Sequence, residues 1–262
     1  MNSDSPLIFT HKDGLARLTL NRPAAANTLD APMAQALFKA AVECDENAAI
    51  RAVLLTGTGK LFCGGGDING FATAGDAVSR MAKELTTILH GAVSRLLRMP
   101  KPLVVAVNGP AAGAGLSLAM LGDLVIAAPE AHFTVAYTAL GVTPDLGASW
   151  LLPRLVGLRR AQELTLTNRR VSAPEAAQMG LITRVAQQDA LAEAEALAMA
   201  LVDGPRLALG GTRSLLARAF TTGLEEQMEL EARSIAESLR RAEGQEGVRA
   251  FLSKRKPEFR DL

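Results

Sequence analysis

Three short apolar runs constrain this chain most. "AVLLTG" (52–57), "PLVVAV" (102–107) and "DLVIAA" (123–128) are each bounded by Gly, Pro or Asp. They are too short for helices and apolar at successive positions, so both faces must be covered; they read as buried strands. Between the first two, Leu85, Ile88, Leu89, Ala92, Val93, Leu96 and Leu97 form one helical stripe. Buried strands alternating with amphipathic helices predict an α/β fold. "LIFTHKDGLARLTLNRP" (7–23) adds a hairpin turning at Lys12, Asp13 and Gly14, and "AHFTV" (131–135) adds a strand. On this reading His11 sits in a turn and His132 just before a strand, and neither is given a role.

From about residue 189 the strand signals stop. "ALAEAEALAMALVDG" is an alanine-rich helix, and Leu224, Met228, Ala232, Ile235 and Leu239 recur at helical spacing. The expected organisation is a core over 1–199 and a helical region over 200–262.

Composition excludes several classes. A net charge of +1 creates no basic field for nucleic acid. Two cysteines, Cys44 and Cys63, make neither a disulfide framework nor paired metal-ligand spacing, so both are read as reduced in a cytoplasmic protein. The start "MNSDSPLIFTHKDG" lacks the basic and apolar regions of a signal peptide. The longest apolar stretch, 102–128, is cut by Pro102, Asn108, Gly109, Pro110 and Asp123, so no membrane span is expected. Hydrophobic residues at 48% are in slight excess, which suggests buried subunit contacts.

Two glycine-rich turns each follow a buried strand. In "FCGGGDI" (62–68) three glycines remove Cβ atoms, letting a ligand approach the backbone. In "NGPAAGAGLSLAM" (108–120) Gly113, Ala114 and Gly115 open a helix whose first N–H groups are unpaired. Two such N–H groups converging on one point would make an oxyanion hole. Neither turn has the spacing of a phosphate-binding loop; either alone reads as a plain tight turn, and it is their joint placement, each after a buried strand, that points to a site.

The segment "VAYTALGVTPDLGASWLLPRLVG" (135–157) holds the chain's one tyrosine, Tyr137, its one tryptophan, Trp150, and a lone acid, Asp145. By local pattern Asp145 reads as a helix N-cap, since "PD" precedes a helical run from Leu146.

"LTLNRPAAANTLD", "FCGGGDI", "PKPLVVAVNGPAAGAGLSLAMLGDLVIAA", "GLITRV" and the tail "GVRAFLSKRKPEF" resemble the enoyl-CoA hydratase/isomerase (crotonase) family in order and spacing over nearly the whole chain. The resemblance implies a spiral of ββα repeats, a C-terminal helical region that builds homotrimers or hexamers, and an acyl-CoA thioester substrate. No cofactor is implied beyond the coenzyme A of that substrate. It implies that the Gly66 and Ala114 N–H groups hold the thioester oxygen. Coenzyme A contacts fall on Ala24, Ala26, Asp67 and Ile68, with Gly64, Gly65, Gly113, Ser117, Tyr137 and Pro144 lining the site. Lys254 and Phe259 reach a coenzyme A that can be a neighbouring subunit's.

Hydratases of the family use two glutamates, and the matching positions here are Ser117 and Tyr137. "PDLGASWLLPRLVG" instead resembles the phenylacetate-pathway type of isomerase, with Asp145 as the base that shifts a double bond. Three alternatives stay open: a residual hydratase-like activity, a dehalogenase-like hydrolase using Asp145 and His90, and a non-catalytic acyl-CoA binder. Apart from the resemblance, His90 reads as a partly exposed helix residue and Cys63 as packing.

Overall fold

The computed structural model describes residues 5–262; the first four residues of the N-terminal stretch read above lie outside them. The expected hairpin forms from β1 (Leu7–Lys12) and antiparallel β2 (Leu15–Leu20). Its turn is tighter than expected. Only Asp13 and Gly14 turn, with φ of 51° and 87°, and positive φ at both positions follows the twist of the flanking strands. His11 therefore lies within β1, opposite Ala16, and not in a turn.

Helix α1 (Ala31–Glu46) starts at Asp30, whose side chain accepts the Met33 N–H. The chain then enters β3 (Ala52–Gly57), the short α2 (Ile68–Thr73) and the long α3 (Val78–Arg98). The second apolar run is β4 (Leu103–Val107), followed by β5 (Ala111–Ala112), α4 (Ala114–Ala119) and β6 (Leu124–Ala127). β7 (His132–Thr134) begins at His132 itself, which pairs opposite Ser172. Then come α5 (Ala148–Val156), α6 (Leu158–Thr167), β8 (Val171–Ser172), α7 (Ala173–Gln178) and β9 (Arg184–Val185). The chain ends in α8 (Ala190–Val202), α9 (Arg206–Arg218), α10 (Leu224–Arg240) and α11 (Ala242–Leu252).

The main sheet runs β1-β2-β3-β4-β6-β9, parallel from β2 onward, and a small second sheet runs β5-β7-β8. β4 is buried at all five positions, as a strand covered on both faces must be. Helices α1 and α3 pack on each other, and α8 lies against β3, β4 and β6. The parallel strands end together at Leu20, Gly57, Val107 and Ala127, and both glycine-rich turns leave from that end. No helix among the described residues is long and apolar enough to cross a membrane.

Two basic side chains tie the opposite, N-terminal end of the sheet. Lys101, 5% exposed, donates from Nζ to the carbonyls of Cys44 (2.6 Å), Asp45 (3.0 Å) and Asn47 (2.8 Å) at the end of α1. A cation there satisfies carbonyls the helix leaves unpaired and complements its dipole. Lys101→Met is expected to lower stability by about 2 kcal/mol, a drop in Tm of roughly 4–8 °C, read by thermal unfolding; an unchanged Tm would remove this clamp from the account. Arg51, one residue before β3, donates to the carbonyls of Val202 (2.7 Å) and Gly204 (2.9 Å), and to those of Phe259 and Arg260 (3.1 Å each). The C-terminal tail is thereby fastened at the end of the sheet remote from the glycine-rich turns.

Candidate active site

The two turns meet at the C-terminal end of the strands. Leu29 N–H donates to Gly65 O (2.8 Å) and Asp67 N–H to Leu29 O (3.2 Å). In this parallel bridge the Gly66 N–H points away from Leu29. Gly113 has φ 53° and ψ −125°, a conformation reserved for glycine, and it turns the chain directly into α4. Neither the Gly66 N–H nor the Ala114 N–H finds an acceptor among the described residues. A Cβ added to Gly65 would lie 3.0 Å from Ala112 O and 3.5 Å from Ala114 N, so the two turns are in contact. A Cβ on Gly115 would lie 2.1 Å from Cys63 O. The second glycine of "GAG" is thus needed for α4 to sit on the first turn. Two unpaired N–H groups on adjoining backbone are the parts from which an oxyanion hole can be built.

The segment expected to contact coenzyme A is joined to the same turn. Gly64 N–H donates to Ala26 O at 2.9 Å. Ala26 and Asn27 are both left-handed, with φ of 54° and 53°. Asn27 is fully buried; its Nδ2 donates to the carbonyls of Thr58 and Leu61 (2.9 Å each) and Phe62 (3.2 Å), and its Oδ1 accepts the Arg22 N–H (2.8 Å). Arg22 reaches Asp30 (3.1 Å) and Asp67 (3.2 Å). Ala24 and Ile68 are exposed beside this network, and Gly64 is open to solvent. Sequence reasoning missed Arg22 and Asn27. Their partners lie up to 45 residues away, and no periodicity marks such a pair. Asn27→Asp keeps the shape and the tolerance of left-handed backbone but turns a carboxylate oxygen toward carbonyls. It is expected to destabilise the fold by about 3 kcal/mol and to raise KM for acyl-CoA; denaturant unfolding and KM near wild type would sink the role given to Asn27.

Asp145 is tied to α4 through Tyr137 and Ser117. It does not cap α5: the N-cap is Gly147, with no side-chain hydrogen bond, and only the Asp145 carbonyl accepts from Ala148 N–H (2.9 Å). The helix starts later than expected because Leu146 and Gly147 are left-handed, with φ of 50° and 78°. The carboxylate is thereby turned away from the helix and accepts the Tyr137 hydroxyl at 2.5 Å on Oδ1. Tyr137 follows Ala136, another left-handed residue (φ 65°). Strained non-glycine backbone thus sits beside both partners, a pattern concentrated at functional sites. Ser117, fully buried in α4, lies 3.1 Å from the Tyr137 hydroxyl. Burial raises the Asp145 pKa above the usual carboxylate range, opposed by the Tyr137 hydrogen bond and by His90. Burial, and then the neighbouring Asp145 charge, push the Tyr137 phenol well upward, so it stays protonated as a donor.

His90 is exposed on α3, and its Nε2 accepts the Leu146 N–H at 3.2 Å. The Nε2 lone pair is thereby engaged by backbone. Cys63 is buried, donates to Asn27 O (3.1 Å), and has its thiol pushed up to about 12 by burial. That is the state of a packing cysteine and not of a nucleophile. The described residues hold no group of three His, Cys, Asp or Glu able to bind a metal.

Phe259 and Lys254 lie elsewhere. The Phe259 ring packs toward Gly247 in a cavity of about 190 Å³ that Pro205, Leu207 and Gly244 also line. Its carbonyl is held by Arg51 at the N-terminal end of the sheet. Lys254 is exposed just past α11. The Phe259 backbone is thus held at the end of the sheet remote from the two glycine turns of its own chain.

The Enoyl-CoA hydratase/isomerase family profile matches residues 10–262. The chain is 39% identical over 256 residues to the 1,2-epoxyphenylacetyl-CoA isomerase of Escherichia coli (strain K12), covering 96% of this chain and 97% of that protein. It is 40% identical over 252 residues to a probable enoyl-CoA hydratase of Rhodobacter capsulatus, covering 94% and 95%. Among solved structures, a putative enoyl-CoA hydratase/isomerase from Mycobacterium abscessus superposes with a TM-score of 0.92 at 32% identity, covering 97% and 98%. Together with the paired glycine turns on a parallel sheet, these likenesses place the chain in the enoyl-CoA hydratase/isomerase family.

Proposed function

We propose that this enzyme is an acyl-CoA isomerase in which Asp145 moves a proton within the acyl group while Gly66 and Ala114 hold the thioester oxygen. The observation that carries this reading is the single carboxylate. The positions matching the two hydratase glutamates are Ser117 and Tyr137, and both hydroxyls are joined to Asp145 in one hydrogen-bonded cluster. One carboxylate suffices to remove a proton and return it elsewhere. Activating a water and protonating carbon needs more.

With a 3-enoyl thioester, Asp145 takes the C2 proton and the C–H electron pair passes into the thioester as a dienolate. The negative oxygen rests on the two N–H groups. Return of the proton at C4 leaves the conjugated 2-enoyl thioester and an ionised Asp145. The name of the Escherichia coli relative adds ring epoxides of phenylacetyl-CoA to the substrates worth testing. His90 has no free Nε2 with which to activate water, which weighs against the hydrolytic alternative.

The test is the appearance of the conjugated-thioester absorbance from 3-enoyl-CoA. Formation by wild type supports the isomerase. Tight acyl-CoA binding without turnover of aliphatic, ring-epoxide or halogenated thioesters would support a binder instead.

The exposed apolar face of α10 and α11 supports a further part of the reading. Helix α10 buries none of its residues, and Leu224, Met228, Ile235, Leu239 and Phe251 are exposed. We infer that 200–262 form an oligomerisation region for a homotrimer or hexamer. In such an assembly Lys254 and Phe259 serve a coenzyme A bound to another subunit.

A further inference from the structure

We propose that Ser117 and Tyr137 are positioning residues for Asp145: a one-way hydrogen-bond chain, Ser117 to Tyr137 to Asp145, fixes one carboxylate oxygen and leaves the other as the working base. The proposal rests on the reading of Asp145 as the base.

Direction follows from the donors available. The Tyr137 hydroxyl has one proton and spends it on Asp145 Oδ1 at 2.5 Å. A hydrogen bond at the 3.1 Å contact then has Ser117 as donor and Tyr137 as acceptor, the shortest of three contacts open to the Ser117 proton beside Gly113 O (3.3 Å) and Asp145 O (3.4 Å). Each hydroxyl polarises the next, so the Ser117 bond strengthens the Tyr137 bond. The chain is buried: Ser117 is fully enclosed and Tyr137 is 8% exposed. Its two ends are held by different elements, Ser117 by α4 and Asp145 by the left-handed turn at Leu146. On the other side of that turn, His90 accepts the Leu146 N–H. Tyr137 and His90 are the titratable groups that face Asp145 among the described residues.

The consequence concerns both geometry and charge. With Oδ1 accepting from Tyr137, Oδ2 is the more basic oxygen, and the proposal assigns the C2 proton to it. The C2–H bond breaks, the new O–H bond forms on Oδ2, and the electron pair enters the thioester. Tyr137 keeps its proton throughout. The chain also favours the ionised carboxylate in a site whose burial disfavours it. Ser117 does not touch the carboxylate oxygens; besides Tyr137 its Oγ meets the backbone carbonyls of Gly113 (3.3 Å) and Asp145 (3.4 Å), so the route proposed from Ser117 to the carboxylate runs through Tyr137.

The chain's single tyrosine makes this measurable without turnover. Labelling with ring-13Cζ tyrosine gives one resonance. In wild type it is expected to titrate on acidification with one midpoint, above the ordinary aspartate value of about 3.9, and to lose that titration in Asp145→Asn. In Ser117→Ala the midpoint is expected to move upward. In the isomerase assay Tyr137→Phe is expected to lower kcat about ten-fold, with KM changed less than about two-fold. The acid limb of its kcat profile is expected to move upward. Ser117→Ala is expected to move that limb less, and to have no effect in the Tyr137→Phe background. A resonance indifferent to Asp145→Asn overturns the proposal, as does an equal Ser117→Ala effect in both backgrounds. Full isomerisation by Asp145→Asn would overturn the base assignment, while the resonance would still report whether the chain exists.

Discussion

Asp145→Asn is expected to reduce isomerisation by about a thousand-fold, the scale of a removed general base, with the Kd for acyl-CoA changed by less than about three-fold. The amide keeps the shape and still accepts the Tyr137 hydroxyl, but it cannot take the C2 proton. The same substitution should stabilise the fold. Burial raises the carboxyl pKa in the native state, so the native protein holds that proton more firmly than the unfolded chain does. Asp145 therefore opposes folding increasingly as pH rises from its unfolded value through the raised native one, and it adds nothing unfavourable below both. At neutral pH the neutral amide removes this opposition. A gain on the order of 1 kcal/mol, or roughly 2–4 °C in Tm, is expected, shrinking at acidic pH. Undiminished turnover would sink the mechanism; a lower Tm at neutral pH would sink the account of burial.

Gly115→Ala is expected to eliminate measurable turnover and to destabilise the protein by about 3 kcal/mol. Its Cβ would sit 2.1 Å from Cys63 O and 2.8 Å from Cys63 Cβ. The first of these atoms is backbone and cannot swing aside. Helix α4 must retreat from the glycine turn, carrying the Ala114 N–H away from the Gly66 N–H. Thermal unfolding together with the isomerase assay checks this. Activity within two-fold of wild type would mean that the spacing of the two turns does not matter to the reaction.

What was legible in the sequence divides along physical lines. β3, β4 and β6 were visible because strands covered on both faces read as continuous apolar runs. Helix α3 was visible because its stripe repeats every turn. The two-residue strands β5, β8 and β9 were not, since two residues carry no period. The hairpin turn was placed one residue too wide, which misplaced His11. Asp145 was visible as a lone acid, yet its local pattern pointed to a helix cap. The left-handed Leu146 decided otherwise, and nothing in a leucine announces positive φ. Tyr137 and Asp145 are eight residues apart on irregular backbone, and Arg51 grips carbonyls about two hundred residues away. Such contacts exist only once the sheet has brought the loops together.

The two buried thiols have a consequence outside catalysis. Cys44 lies on the buried face of the last turn of α1, at the Lys101 clamp, and Cys63 lies at the start of the first glycine turn. Burial pushes both up to about 12, so in the closed protein neither presents a thiolate to an alkylating reagent. Modification then waits on local opening, and the two cysteines sit at opposite ends of the parallel strands. The chain thus carries its own pair of chemical clocks: one times the breathing of the sheet's N-terminal edge, the other the breathing of the first glycine turn.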